Sequence, residues 1–362
     1  MAIRKIPAGE TDYAVPPGRT LQETLEHIDM TQKEFANRMG MAPKTINEII
    51  KGKAPITAET AIKLETVLGI SAAFWTAMEA NYRTDKARLE NKKKIALEQE
   101  IAGEFRCYAE MSRLGWVEPT RAKGEKVEFL RSFFGVASLE NIRVLPYTAN
   151  FRLKESPRTS FYAIMAWLRQ GERMAADIRT EPFSLEKLHD AIPRLRSLTS
   201  CRPGFWEKIV SLCAGCGVAV SFVPSLKGAA INGAMRWLSP KKALVTVSLR
   251  HAYSDIFWFS LFHELGHIIK GHQKSEPYIS YLQSSVRSKQ ESEADMYARD
   301  VLIPSAYFDS FLRKRIFTRS SIADFSKEIQ IHPGIVWGRL AKENFVKWEE
   351  AAPHRLKLKF AS

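Results

Sequence analysis

Residues 263–267 read His-Glu-Leu-Gly-His. On an α-helix His263 and His267 stand one turn apart on the same face, where a single zinc ion can meet both imidazoles. Glu264 projects about 100° further round. A carboxylate there is placed to take a proton from a water whose pKa such an ion lowers to about 7. This is the chemistry of metal-assisted peptide hydrolysis. Catalytic zinc sites use three protein ligands plus water, so another donor is needed, and Glu291-Ser-Glu-Ala-Asp295 offers one. By helical pitch Glu291 shares a face with Ala294, Asp295, Ala298 and Leu302, while Glu293 points to the opposite side. Glu291 is the expected third ligand, and Asp295, one turn on, the expected partner that orients a histidine. A competing reading makes Ser288-Lys-Gln-Glu291 a capping box, in which Glu291 only closes a helix start.

These side chains need a rigid frame. Ser254 or Asp255 is the expected N-cap of the helix that carries the motif, and Phe257, Leu261, Leu265 and Ile268 form its apolar stripe. Gly271 supplies the stop. The histidines lie beside the stripe, on the flank of Ser260. Upstream, Lys242 to Leu249 alternates as a strand does. An oxyanion donor is expected nearby, with Arg236, His272, Tyr278, Tyr281 and His332 as undistinguished candidates.

His-Glu-Leu-Gly-His, the downstream Glu-x-x-Ala-Asp, Leu302-Ile303-Pro304 and Ile331-His-Pro-Gly-Ile-Val-Trp-Gly-Arg-Leu340 together resemble the ImmA/IrrE-type metallopeptidases. The resemblance covers roughly residues 205–345. It implies a zincin-like fold, a zinc endopeptidase activity and a protein substrate, with the Lys242 strand at the edge of a small sheet where an extended substrate adds by β-augmentation. Such peptidases often carry Asn where this chain has Asp295, a departure that touches the orienting partner more than the ligand set.

The N-terminal segment makes an independent claim. Thr20-Leu-Gln-Glu23 and Thr31-Gln-Lys-Glu34 read as capping boxes that open short helices. Gly40 is the expected tight turn, followed by a helix from about Pro43 to Ile50 that Gly52 ends; this is the layout of a helix-turn-helix. Ile46, Ile49 and Ile50 are expected in the core. Lys44, Thr45, Asn47 and Lys51 are left for DNA, Asn being able to read adenine while Lys and Thr hold the backbone. Thr57 caps a helix through Leu68, and Ser71 caps another containing Phe74 and Trp75. With Pro17-Gly18, Ile49-Ile50-Lys51-Gly52-Lys53 and Ile56 to Ala61, this stretch of about residues 15–83 resembles the HigA-type antitoxins of the wider XRE class. The alternative is a protein-binding helical bundle that never touches DNA.

Length and charge agree with several domains and a polyanionic partner. The chain has 362 residues, 45% hydrophobic, with a net charge of +14, more than one core usually organises. Basic surface favours phosphate contact through counterion release. No export signal or membrane span is read, which places the protein in the cytoplasm. Cys107, Cys201, Cys213 and Cys216 suit a reducing compartment, and Cys213-Ala-Gly-Cys216, without a second pair, reads as an ordinary helix end. Arg83 to Glu100, with Lys92-Lys93-Lys94, reads as a solvated linker helix, and residues 101–200 as mainly helical.

The expected fold is mainly α with a small β-sheet (α+β). Its parts are a five-helix helix-turn-helix bundle over 1–83, a helical middle region over 84–204 and a zincin-like domain over 205–362. The expected function is a DNA-binding regulator carrying a Zn2+ endopeptidase. Its partners would be a double-stranded DNA operator, a second copy of the chain on a palindrome, and a repressor or toxin as substrate. The rival is an antitoxin-like protein that binds DNA and toxin on a non-catalytic zincin scaffold.

Overall fold

The computed structural model describes residues 13–145, 160–200, 204–272, 278–280 and 289–359, with only the backbone of 278–280. Tyr281, Ser288 and Cys201, and with Ser288 the competing capping box, lie outside the described residues, as does the side chain of Tyr278. The chain divides into two compact units, Met1–Glu98 and Gln99–Ser362.

The first unit holds α1 (Pro17–His27), α2 (Gln32–Met39), α3 (Pro43–Ile50), α4 (Ala58–Leu68) and α5 (Ala72–Leu97). Local chemistry explains most starts. The hydroxyls of Thr31, Thr57 and Ser71 accept from the N–H groups of Glu34, Thr60 and Phe74, and Gly40 ends α2 in the left-handed region at φ 60°. Thr20 corrects the expectation: it lies inside α1, which starts earlier because Pro17 occupies the first turn after Pro16. A proline there has its φ preset and no N–H to leave unpaired. Leu21, Leu25, Phe35, Ile46, Leu64 and Trp75 form the core. Gly18 brings α1 onto α3, since a Cβ at 18 would lie 2.1 Å from the Ile49 carbonyl oxygen. Residue 83, the expected end of this domain, falls within α5, which runs unbroken to Leu97.

The second unit contains α6 (Gln99–Glu104), α7 (Tyr108–Arg113), α8 (Lys123–Phe134), α9 (Phe161–Ala176), α10 (Leu185–Ser197), α11 (Trp206–Ala214), β1 (Val218–Phe222), β2 (Gly233–Ser239) and β3 (Lys242–Val247). After them come α12 (Ser254–Ile269), β4 (Tyr278–Ser280), α13 (Lys289–Leu302), α14 (Ser305–Arg313), α15 (Arg319–Glu328), α16 (Pro333–Lys342) and α17 (Trp348–Ala351). The chain is therefore mainly helical, and the described strands form a small sheet in the second unit, of order β1-β3-β2-β4. β3 pairs parallel with β1 and antiparallel with β2, and β2 pairs antiparallel with β4. This corrects the expected edge position of the Lys242 strand: β3 is interior, and among the described residues β1 and β4 are the edges. Its alternation reports two covered faces, not a free edge.

One face of the sheet, with Val218, Val220, Met235, Val245 and Val247, packs on Phe257, Leu261 and Leu265 of α12. On the other, Ala219 and Leu244 meet Ala175 of α9, and Gly171 lets α9 close on Thr246, whose Oγ1 would lie 2.5 Å from a Cβ there. A helix of the expected middle region thus covers one side of the sheet, across the boundary expected at residue 204. The Cys213 thiol is buried at the end of α11, where burial pushes its pKa far up, and the Cys216 S–H donates to the carbonyls of Lys187 and Leu212. Both are free thiols in an ordinary helix end. Among the described residues no helix is long and apolar enough to cross a membrane.

Candidate metal centre and recognition helix

Two helices bring the expected metal ligands together. α12 carries His263, Glu264 and His267, all buried, and α13 carries Glu291 and Asp295 on the face marked by buried Ala294, Ala298 and Leu302. The two helices approach closely because the seam is lined by small residues. A Cβ on Gly266 would lie 3.0 Å from the Tyr297 ring and 3.4 Å from the Ala294 Cα. The glycine inside the motif therefore sets how far Glu291 must reach.

The start of α12 differs from expectation. Tyr253 is its N-cap, with no side-chain cap, so neither Ser254 nor Asp255 fills that role. Asp255 instead accepts from Arg355 on both oxygens, from Nε at 3.1 Å to Oδ1 and 3.0 Å to Oδ2 and from Nη2 at 2.8 Å to Oδ2. The Ser254 N–H donates to the Leu356 carbonyl. Arg355 thus fixes the beginning of α12 with a buried bidentate pair. The stop is as expected, with Gly271 at φ 68°.

At the centre the Nε2 atoms of His263 and His267 lie 3.1 Å apart. Each is 3.4 Å from a Glu291 oxygen, Oε2 for His263 and Oε1 for His267. One donor atom from each of the three residues falls within 4.8 Å of the others. Both imidazoles turn Nδ1 away from this point: that of His263 is 2.9 Å from Asp295 Oδ1, and that of His267 is 3.0 Å from His272 Nδ1. Burial disfavours a charge on His263, but Asp295 and Glu291 outweigh it and push its pKa up to about 10. Burial would raise Glu291, yet hydrogen bonds from both histidines win and hold it down at about 2. On His267 burial dominates and lowers the pKa. The cluster thus favours positive charge at its middle, and two nitrogens with a carboxylate are the donor set of a catalytic zinc site.

Glu264 is fully buried beside this point. Strand β2 closes over it at Gly233, where a Cβ would lie 2.6 Å from Glu264 Oε1. Gly233 was missed in the sequence, where Asn232-Gly233 carries a turn signal; in fact it opens a strand. His272 and Glu293 were also not linked there. Glu293 leaves the metal face of α13, as its pitch requires, and lies 2.8 Å from His272 Nε2.

Three of the oxyanion candidates have other duties. Arg236 pairs with Glu172 of α9 and alternates away from Gly233 and Met235, so it lies on the sheet face opposite α12. His272 is held between His267 and Glu293. His332 caps α16 by accepting from the Gly334 N–H at 3.0 Å.

In the first unit, α3 buries Ile46, Ile49 and Ile50 as expected. Lys44, Asn47 and Lys51 are exposed and Thr45 is half-buried. The four form the outward side of a helix whose inner side is locked by Gly18.

Fold and site together define a helix-turn-helix regulator joined to a peptidase-type domain. A helix-turn-helix family model matches residues 21–75, and a peptidase-family model, the IrrE N-terminal-like domain, matches residues 251–327. The chain belongs to the XRE-type helix-turn-helix regulators and carries an IrrE N-terminal-like domain. The HTH-type transcriptional regulator YddM of Escherichia coli K12 is 40% identical over 63 residues, covering 17% of this chain and 67% of that protein. Virulence-associated protein I of Dichelobacter nodosus is 34% identical over 79 residues, covering 21% of this chain and 73% of its own. Two solved structures are similar to a short part of the chain. An addiction module antidote protein of a HigA family from Coxiella burnetii is 29% identical, with a TM-score of 0.22, covering 24% of this chain and 95% of that one. The Pseudomonas aeruginosa antitoxin HigA with the higBA promoter is also 29% identical, with a TM-score of 0.22, covering 24% and 94%.

Proposed function

We propose that the protein is a cytoplasmic DNA-binding regulator whose second unit is a zinc endopeptidase, with His263, His267 and Glu291 as metal ligands. The observation that carries this reading is the convergence of two buried Nε2 atoms and one carboxylate beside the fully buried Glu264. Bound zinc would supply Lewis acidity and a nucleophilic water at neutral pH. The protein's own groups do the rest. Glu264 is the general base and then returns the proton to the leaving amine. Asp295 holds the His263 ring with Nε2 turned inward. The substrate is a protein segment from a repressor or toxin partner. An extended segment that adds to the sheet would do so beside β1 or β4, β3 being interior.

The family match and the exposed face of α3 support operator DNA as the partner of the first unit, with Lys44, Thr45, Asn47 and Lys51 at the contact. A homodimer on a palindromic site is the arrangement such a unit calls for. Metal analysis joined to a cleavage assay against proteins encoded beside this one tests the reading. One zinc per chain and cleavage that disappears in Glu264→Gln with zinc retained are expected. If Glu264→Gln relieves repression as the wild type does, the peptidase role is lost and the non-catalytic antitoxin reading stands.

A further inference from the structure

The two metal-facing histidines are held from behind in different ways. His263 has a carboxylate directly on Nδ1, that of Asp295. His267 has another histidine. The end of α12 explains how it arrives there. Gly271 takes the left-handed conformation and its N–H donates to the Ile268 carbonyl at 3.1 Å, while the His272 N–H donates to the His267 carbonyl at 2.9 Å. These are the two bonds of a Schellman motif, which usually sets one apolar side chain against another across the helix end. Here both positions are histidine, with ring centroids 5.2 Å apart and Nδ1 atoms 3.0 Å apart.

Only one of two facing Nδ1 atoms can carry the hydrogen. With a metal held by His263, His267 and Glu291, His267 Nε2 would face the ion without a hydrogen, and the hydrogen of its ring would belong on Nδ1. His272 then accepts at Nδ1, carries its own hydrogen on Nε2 and donates to Glu293 Oε2 at 2.8 Å. Both Nδ1 atoms and His272 Nε2 then have a partner. His272 is buried, whereas the Glu293 side chain is 32% exposed.

We propose that His272 and Glu293 form a positioning relay that fixes the ring and tautomer of His267 for the metal, a role that rests on the metal-site reading above. Groups behind a ligating histidine typically govern metal affinity by roughly 10–100-fold. The relay replaces the direct carboxylate of His263 with one transmitted through an imidazole. It depends on Gly271, because only the left-handed turn folds residue 272 back over residue 267.

The experiment measures zinc affinity of the full chain by chelator competition, together with melting of the metal-free protein. The variants are His272→Ala, Glu293→Gln and the double. The relay expects roughly 10–100-fold weaker zinc binding in His272→Ala and a smaller loss in Glu293→Gln. The double variant should be no weaker than His272→Ala, because Glu293 acts only through His272. Metal-free melting should stay the same in Glu293→Gln, whose side chain reaches solvent. Wild-type zinc uptake with unchanged affinity in His272→Ala overturns the relay alone, as do losses that multiply in the double variant. If His272→Ala does not fold, Glu293→Gln decides: unaltered affinity there overturns the relay. A wild-type chain that takes up no zinc removes both the metal site and the relay.

Discussion

Gly233 and Glu264 touch across the boundary between β2 and α12, with room for a hydrogen and none for a methyl group. Gly233→Ala should therefore push the strand and the carboxylate apart, an overpacking cost of about 1–3 kcal/mol. The ligands sit on α12 and α13, so zinc stoichiometry should hold while cleavage falls at least about tenfold, as expected for a displaced catalytic group. Metal analysis beside a cleavage assay checks this; full activity in Gly233→Ala would sink it.

Removing donors should act differently from removing their supports. His263→Ala and Glu291→Gln each delete a ligand and should abolish stoichiometric zinc. Asp295→Asn keeps an oxygen that can accept from His263 Nδ1 and should cost only a few-fold in affinity, whereas Asp295→Ala should cost roughly 10–100-fold. Chelator competition ranks the set. Equal behaviour of Asn and Ala at 295 would contradict an orienting role.

The central protons give the metal-free protein a defined pH response. The folded pKa of His263 is raised from 6.5 to about 10, so its stabilising contribution is complete below 6.5 and is lost as pH rises toward 10. Glu291 is lowered from 4.5 to about 2, so its contribution is complete above 4.5 and lost as pH falls toward 2. Metal-free melting should thus decline on the alkaline side between those two His263 values, and less so with zinc bound. Zinc uptake near neutral pH should release about one proton, measurable by calorimetry in two buffers of different ionisation enthalpy. Buffer-independent heats would refute this.

The outward side of α3 separates into two kinds of contact. Asn47→Ala should relax discrimination at one base pair by about 1–3 kcal/mol. Lys44→Ala should weaken all duplexes alike and reduce the salt slope by about 1. Binding titrations at several salt concentrations distinguish them, and unchanged binding in the double variant would count against this recognition helix.

Gly18→Ala tests the frame behind that helix. The added methyl meets the backbone of Ile49 and Ile50, which cannot rotate away as a side chain can. A loss of about 1–3 kcal/mol is expected, with weaker DNA binding and unaltered zinc content. A wild-type melting curve would show that α1 and α3 can part freely.

Much of this was legible because it is local. Thr31, Thr57, Ser71, Gly40 and Gly271 act within one helical turn, and a residue-by-residue reading finds them. Helical pitch also singled out Glu291 and Asp295 and sent Glu293 elsewhere. Thr20 misled because Pro16-Pro17 starts a helix more strongly than a hydroxyl does. What stayed hidden is non-local. The neighbours of β3 depend on strands distant in sequence, the fate of Asp255 on Arg355, and that of Glu293 on a turn that delivers His272. The middle region joins the sheet through Gly171 and Thr246, a contact that no periodicity announces.

The small residues between α12 and α13 carry one last implication. Two donors belong to one helix and the third to another, so an unfolded chain offers only scattered groups and grips an ion poorly. Once held, the ion would act as a stitch between positions 267 and 291 that favours the folded chain, because only that state brings the donors together. Enlarging Gly266 should therefore alter how firmly the stitch pulls as well as where the charge sits.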